Sequence, residues 1–171
     1  MKSETDRRLA TLLTRVRTER SQVEEDLRAK QFENRARHDE VVCLLRRVEG
    51  IVGEFADRLR LVGHTATLTL SLGCVSTDPG QDAEPQDRIA AVCDWNGPTL
   101  EFAVGLADGS RRAALVVRGL RDCMAIESTT LSRPTREPAI EVADGDLGDD
   151  LVESIAIEFL ERWAALIPRD A

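Results

Sequence analysis

Residues 3–62 read SETDRRLATLLTRVRTERSQVEEDLRAKQFENRARHDEVVCLLRRVEGIVGEFADRLRLV, a stretch without proline whose first glycine is Gly50. Charged residues alternate with apolar ones at helical spacing, so the stretch predicts one long amphipathic helix. At about 1.5 Å per residue it would be roughly 80–90 Å long. That exceeds the width of any domain the remaining residues can build, so part of the helix must pack on something else. A second copy of the chain is the expected occupant.

Two interleaved seven-residue series run the length of this helix. One holds Leu9, Val16, Val23, Lys30, Arg37, Leu44, Ile51 and Arg58; the other holds Leu13, Arg20, Leu27, Asn34, Val41, Val48, Phe55 and Val62. Eleven of these sixteen are apolar, which is the pattern of a coiled-coil seam. The polar members cluster at Lys30, Asn34 and Arg37. Either the helix is continuous and Asn34 sets the register, or the chain turns near Asn34–Asp39. The lack of Gly or Pro there favours continuity. Residues 1–40 are therefore expected to project and to pair, with Leu9, Leu13, Val16, Val23 and Leu27 as the oligomerisation seam. From Val41 onward the apolar stripe widens to include Val42, Leu45 and Val52, as suits a helix lying on a sheet. Residues 41–171 are expected to form the sheet domain.

Gly63 suits a left-handed residue just past the helix end. Beyond it, HTATLTLSLGCV alternates: Ala66, Leu68, Leu70, Leu72 and Cys74 on one face, Thr65, Thr67, Thr69 and Ser71 on the other. Ser76–Arg88, with two prolines, reads as a long exposed loop. Ile89–Trp95 reads as a second strand and Thr99–Ala107 as a third. Asp108-Gly109 is a hairpin signal, and Arg111–Leu120 is the fourth strand. That turn sets Phe102 opposite Leu115 and Leu100 opposite Val117. Cys123–Leu131 is read as a fifth strand, Ser132–Pro138 as a breaker, and Ala139–Val142 as a short edge strand. The last segment, LVESIAIEFLERWAALI, forms a helix stopped by Pro168, with Ile155, Phe159, Trp163 and Ile167 on one face. Asp146 or Asp149 is expected to cap it. Short connections imply a meander. The expected class is α+β: a curved, mostly antiparallel sheet of five or six strands, packed on one face by the C-terminal helix and the distal part of the long one.

The net charge of −8 is uneven. Residues 1–60 carry 14 Lys/Arg against 12 Asp/Glu, and residues 61–171 carry 9 against 19. An acidic second half argues against nucleic acid, whose binding depends on neutralising phosphates. No apolar run is long enough for a membrane span, and the N-terminus has no apolar core of a signal peptide. Cys43, Cys74, Cys93 and Cys123 sit in apolar stretches without paired-ligand spacing, which reads as buried, reduced thiols in a cytoplasmic protein.

No arrangement carries chemistry. His64 and Cys74 are ten residues apart along a strand and need a sharp bend to meet. Asp144, Asp146, Asp149 and Asp150 lack the spacing of a calcium loop, and no glycine pattern suits a phosphate. No catalytic, cofactor-binding or metal-ligating residue is assigned, and no cofactor is expected. Small acidic dimeric chaperones, such as those serving bacterial type III secretion, are similar in size and charge, though no motif is shared. Some nucleoid-associated proteins share a helix–sheet–helix plan, against which the acidic sheet domain counts. The expected function is a non-enzymatic interaction or scaffold protein, chaperone-like, acting as a homodimer with a further protein partner. The alternative is a small-molecule-binding protein or enzyme with an apolar pocket lined by Leu68, Leu70, Phe102, Val104, Leu115 and Trp163.

Overall fold

A computed structural model describes residues 2–75, 78–80, 83–130 and 139–167. Helix α1 runs unbroken from Lys2 to Leu61, so the chain does not turn near Asn34. It ends at Gly63, which takes the left-handed conformation (φ 89°) while His64 N–H bonds back to the Leu59 carbonyl at 3.0 Å. The chain divides into two compact units, residues 37–74 with 96–171, and residues 1–36 with 75–95.

The larger unit is α+β. Its sheet holds five antiparallel strands in the order β1 (Thr65–Ser71), β4 (Thr99–Gly105), β5 (Ala113–Gly119), β6 (Met124–Thr130) and β7 (Ile140–Val142). The β4–β5 register pairs Phe102 with Leu115 and Leu100 with Val117, as the Asp108-Gly109 turn predicts. One face of the sheet gathers Ala66, Leu100, Phe102, Val104, Leu115, Val117, Met124 and Ile126, all buried. The other carries exposed Thr65, Thr67, Thr69, Ser71 and Glu101. Leu131 and the breaker Ser132–Pro138 lie outside the described residues.

Two helices cover the apolar face. From α1 come Val41, Leu45, Val48, Val52 and Ala56, spaced three or four apart and buried. The approach is close at Gly119, where a Cβ would stand 2.2 Å from Val41 Cγ1, so no larger residue fits. From α3 (Asp149–Ala165) come Val152, Ala156, Phe159 and Trp163. The Phe159 ring meets Phe102 edge to face at 5.8 Å between centroids. No aspartate side chain caps α3. Gly148 is the N-cap, and Asp149 instead accepts a hydrogen bond from Arg47 Nε at 2.5 Å, so the expected cap is replaced by a tie to α1.

Arg37 fastens the start of this stretch of α1. Its Nη2 donates to the Leu120 carbonyl (3.1 Å), the Cys123 carbonyl (3.2 Å) and Asp144 Oδ1 (3.1 Å), and its Nη1 pairs with Asp144 and Glu40. The charge that interrupts the seven-residue pattern at this position is thus required by the β5–β6 turn and the 3₁₀ turn Asp144–Asp146.

The smaller unit corrects the reading of residues 76–95. Ile89–Trp95 is not a strand. Pro85–Cys93 form helix α2, and only Trp95–Asn96 are extended, as β3, which pairs with β2 (Cys74–Val75) in a separate two-stranded sheet. Proline in the first turn presets the helical φ, and Ala90 and Ala91 are strong helix formers. Arg88 and Val92, four apart, are buried while Ile89 is exposed, which is helical and not alternating burial. A five-residue apolar run is too short for its periodicity to decide between the two.

The first strand is also shorter than expected. It stops at Ser71, and Gly73 (φ 64°) turns the chain, with a would-be Cβ 2.2 Å from the Asn96 carbonyl oxygen. Leu72 and Cys74 consequently leave the apolar face. Cys43 and Cys74 are exposed and Cys123 is half-buried, so these three thiols are not the buried ones expected. The Cys93 side chain lies outside the described residues.

Candidate functional site

Leu9, Leu12, Leu13 and Val16 stand on the first half of α1, each 55–58% exposed. At about 100° per residue they fall within an arc of roughly 100°, a continuous apolar stripe two turns long. Several of the polar residues beside it are satisfied within the helix. Thr11, Thr14 and Thr18 donate their hydroxyls to the carbonyls of Arg7, Ala10 and Thr14. Arg8 pairs with Glu4 at 3.0 Å and Arg15 with Glu19 at 2.8 Å. Leu12 was not among the expected seam residues, although it lies three residues from Leu9 and four from Val16 on one helical face.

The same face is occupied further along. Five helical turns are about eighteen residues. Leu27 therefore lies directly in line with Leu9, and Asn34 with Val16. Leu27 is only 3% exposed. Asn34 is 5% exposed and donates its Nδ2 to the Val92 carbonyl at 2.6 Å, so it serves α2 and is not free to set a register with a second helix. Val23 is half-buried. Of the expected seam, Leu9, Leu13 and Val16 face solvent, and Leu27 is enclosed within the smaller unit.

An ion cluster holds α2 there. Buried Arg88 donates through Nε to Asp78 Oδ1 (2.8 Å) and through Nη1 to Glu24 Oε1 (2.8 Å). Asp78 also accepts the Gly80 N–H at 3.1 Å. The Arg88 guanidinium, and then the Gly80 N–H, hold the Asp78 carboxyl down to about 2, and Arg88 lowers Glu24 as well. A carboxyl depressed in the folded state contributes stability above its ordinary value of 3.8 and loses it as pH falls toward the folded value. The denaturation midpoint is thus expected to fall between about pH 4 and pH 2, and Asp78→Asn should flatten the curve across that window. Identical pH curves for the two proteins would show that the cluster contributes nothing.

The six residues of the expected apolar pocket share one sheet face with α3. Phe102, Val104, Leu115 and Trp163 are buried in the packed core, and Leu68 and Leu70 are half-buried. Leu115 and Trp163 border two different clefts beside α3. One, of about 80 Å³, lies between Leu115, Ile126, Ile140, Ile155 and Phe159. The other, of about 270 Å³, lies between Ala113, Thr130, Phe159, Arg162, Trp163 and Leu166. Both fall below the roughly 300–1,000 Å³ of ordinary ligand sites.

The His64 and Trp163 rings are perpendicular, with centroids 5.2 Å apart, while Cys74 Sγ lies 3.8 Å from Asn96 Nδ2. Among the described residues no three His, Cys, Asp or Glu side chains gather as a metal site, and no helix is long and apolar enough to cross a membrane. No protein-family model, curated protein or solved structure matches the chain.

Proposed function

We propose that this is a non-enzymatic interaction or scaffold protein, chaperone-like in its use, that works in the cytoplasm as a homodimer with a further protein partner. The observation that carries the reading is the exposed stripe Leu9, Leu12, Leu13 and Val16. The hydroxyls of Thr11 and Thr14 and the Arg8–Glu4 and Arg15–Glu19 ion pairs are already satisfied within the helix, so burying the stripe leaves none of these without a partner. Exposed thiols at Cys43 and Cys74 suit a reducing compartment. The alternative, an apolar ligand held under α3, draws no support from the side chains named for it, four of which are core residues.

The magnitude predicts a weak dimer. Full burial of one such side chain contributes about 1.5–3 kcal/mol, and a little over half of each remains to be buried. Eight side chains from two copies then contribute about 7–13 kcal/mol. Association costs about 4–15 kcal/mol in lost freedom, which leaves at most about 9 kcal/mol, a Kd no tighter than the tenth-micromolar range. Light scattering at several hundred micromolar should give twice the monomer mass. Leu13→Asp with Val16→Asp should return the monomer mass with an unchanged melting temperature, because neither residue is buried in the single chain. A monomeric wild type at that concentration would refute the proposal.

A further inference from the structure

We propose that the free edge of β1 takes one further strand, an extended, uncharged segment of a partner protein that alternates apolar and small polar side chains. The inference supplies a surface for the protein partner of the reading above and does not depend on the homodimer.

The ladder fixes which main-chain groups are free. The Gly119 N–H donates to the Pro98 carbonyl, so in β4 the even-numbered residues turn their main chain toward β5 and the odd-numbered ones toward β1. The β1 partners of those odd-numbered residues are Thr65, Thr67, Thr69 and Ser71. Ala66, Leu68 and Leu70 therefore direct their N–H and C=O groups away from the sheet. Side chains of α1 close both ends of this edge. Arg60 Nε donates to the Ala66 carbonyl at 2.9 Å, and His38 Nε2 donates to the Leu72 carbonyl at 2.8 Å. Between these caps, among the described residues, no hydrogen bond reaches the outward groups of Leu68 and Leu70.

Donors and acceptors that alternate along an extended chain are matched by the main chain of another strand. β1 lacks the features that usually guard an edge, since Thr65–Ser71 hold no charge, proline or glycine. Leu68 and Leu70 are half-buried, so part of their apolar surface stays open. Beside them α1 passes with Gly53, whose Cβ would stand 3.8 Å from Leu68 Cδ1, and Gly50, one turn earlier, whose Cβ would meet nothing within 4 Å. Alternate apolar side chains of an added strand have room there, and the others join exposed Thr67 and Thr69. A second copy of β1 fits less well. It brings its own Arg60 and His38 into the same gap, and every antiparallel register that sets Leu68 or Leu70 of one copy against Leu68 or Leu70 of the other puts a cap between main chains that need to bond. A separate segment of about five residues, at roughly 3.4 Å each, fits the interval between the caps.

The test is amide hydrogen exchange of the ¹⁵N-labelled full chain by NMR, with and without millimolar acetyl-Lys-Thr-Val-Thr-Val-Thr-Lys-amide, with light scattering on the same samples. Without peptide the Leu68 and Leu70 amides should exchange fast, while those of Thr67 and Thr69, held in the ladder, exchange slowly. The peptide should slow Leu68 and Leu70 severalfold and leave Thr67 and Thr69 unchanged. The same peptide N-methylated at its three central residues keeps the side chains and loses the donors, and should bind about tenfold more weakly. Slow exchange at Leu68 and Leu70 without peptide would mean that the chain itself or another copy already fills the edge, and it overturns the proposal. Protection at other residues only, or equal binding of the two peptides, overturns it as well. A monomeric mass with peptide-dependent protection at Leu68 and Leu70 supports the edge and overturns only the homodimer. A dimeric mass without that protection overturns only the edge.

Discussion

Trp163→Ala is expected to lower the free energy of unfolding by about 3–5 kcal/mol, the usual cost of deleting a buried aromatic ring. The indole is 4% exposed. It shares the core side of α3 with Phe159, four residues earlier, which meets Phe102 on the sheet. Its Nε1 donates to the Arg111 carbonyl at 2.7 Å, and its ring lies perpendicular to that of His64. Arg111 has a left-handed backbone (φ 52°), so this hydrogen bond also fixes a strained residue of the β4–β5 loop. Truncation opens a cavity, leaves that carbonyl without its donor and frees the loop. Small domains have about 5–15 kcal/mol in total, so the variant should be poorly soluble or melt far below the wild type. Trp163→Phe keeps most of the packing and loses the hydrogen bond, and should cost about 1–3 kcal/mol. Urea denaturation of the three proteins tests both numbers. An unchanged midpoint for Trp163→Ala would mean that the ring is not part of the core.

Arg37→Met should be the second large effect, about 2–4 kcal/mol. Removing one partner of a fully buried ion pair costs about 3–5 kcal/mol, and some solvent access here reduces that. The Arg37 side chain is 13% exposed and that of Asp144 22%. Methionine fills much of the volume but donates nothing, so the Leu120 and Cys123 carbonyls and the Asp144 carboxylate lose a shared donor. Arg37→Lys restores the charge without the planar fork and should recover only part of the loss. Adding Asp144→Asn to Arg37→Met should recover more than additivity allows, because it removes the uncompensated charge. Simple additivity in that double variant would show that the two side chains are not coupled.

Much of the architecture was legible because it depends on short windows. No breaker interrupts α1, so its continuity could be read residue by residue. The Thr–apolar alternation of Thr65–Ser71 required a strand with one wet face. The Asp108-Gly109 turn carried the register of Phe102 with Leu115. The spacing of Phe159 and Trp163 identified the buried side of α3. The exposed apolar stripe of Leu9, Leu13 and Val16 was also visible as a pattern, and Leu12 could have been added from its spacing.

The tertiary structure alone decided who fills which face. Leu27 and Leu9 look alike in sequence, yet one is enclosed and the other open. Arg88 bonds Glu24 and Val92 bonds Asn34, on either side of Leu27 and about sixty residues further along the chain. Asn34 and Arg37 looked like defects in a coiled-coil seam, but each has a partner in its own chain, at Val92 and at Asp144. Ile89–Trp95 carried too few residues to show a period, and the partners of Arg88 and Val92 made it a helix. Periodicity is a local property, so the chain by itself determined helices, strands and their apolar sides. The occupant of each apolar side is a contact between distant residues, and only the folded chain could supply it.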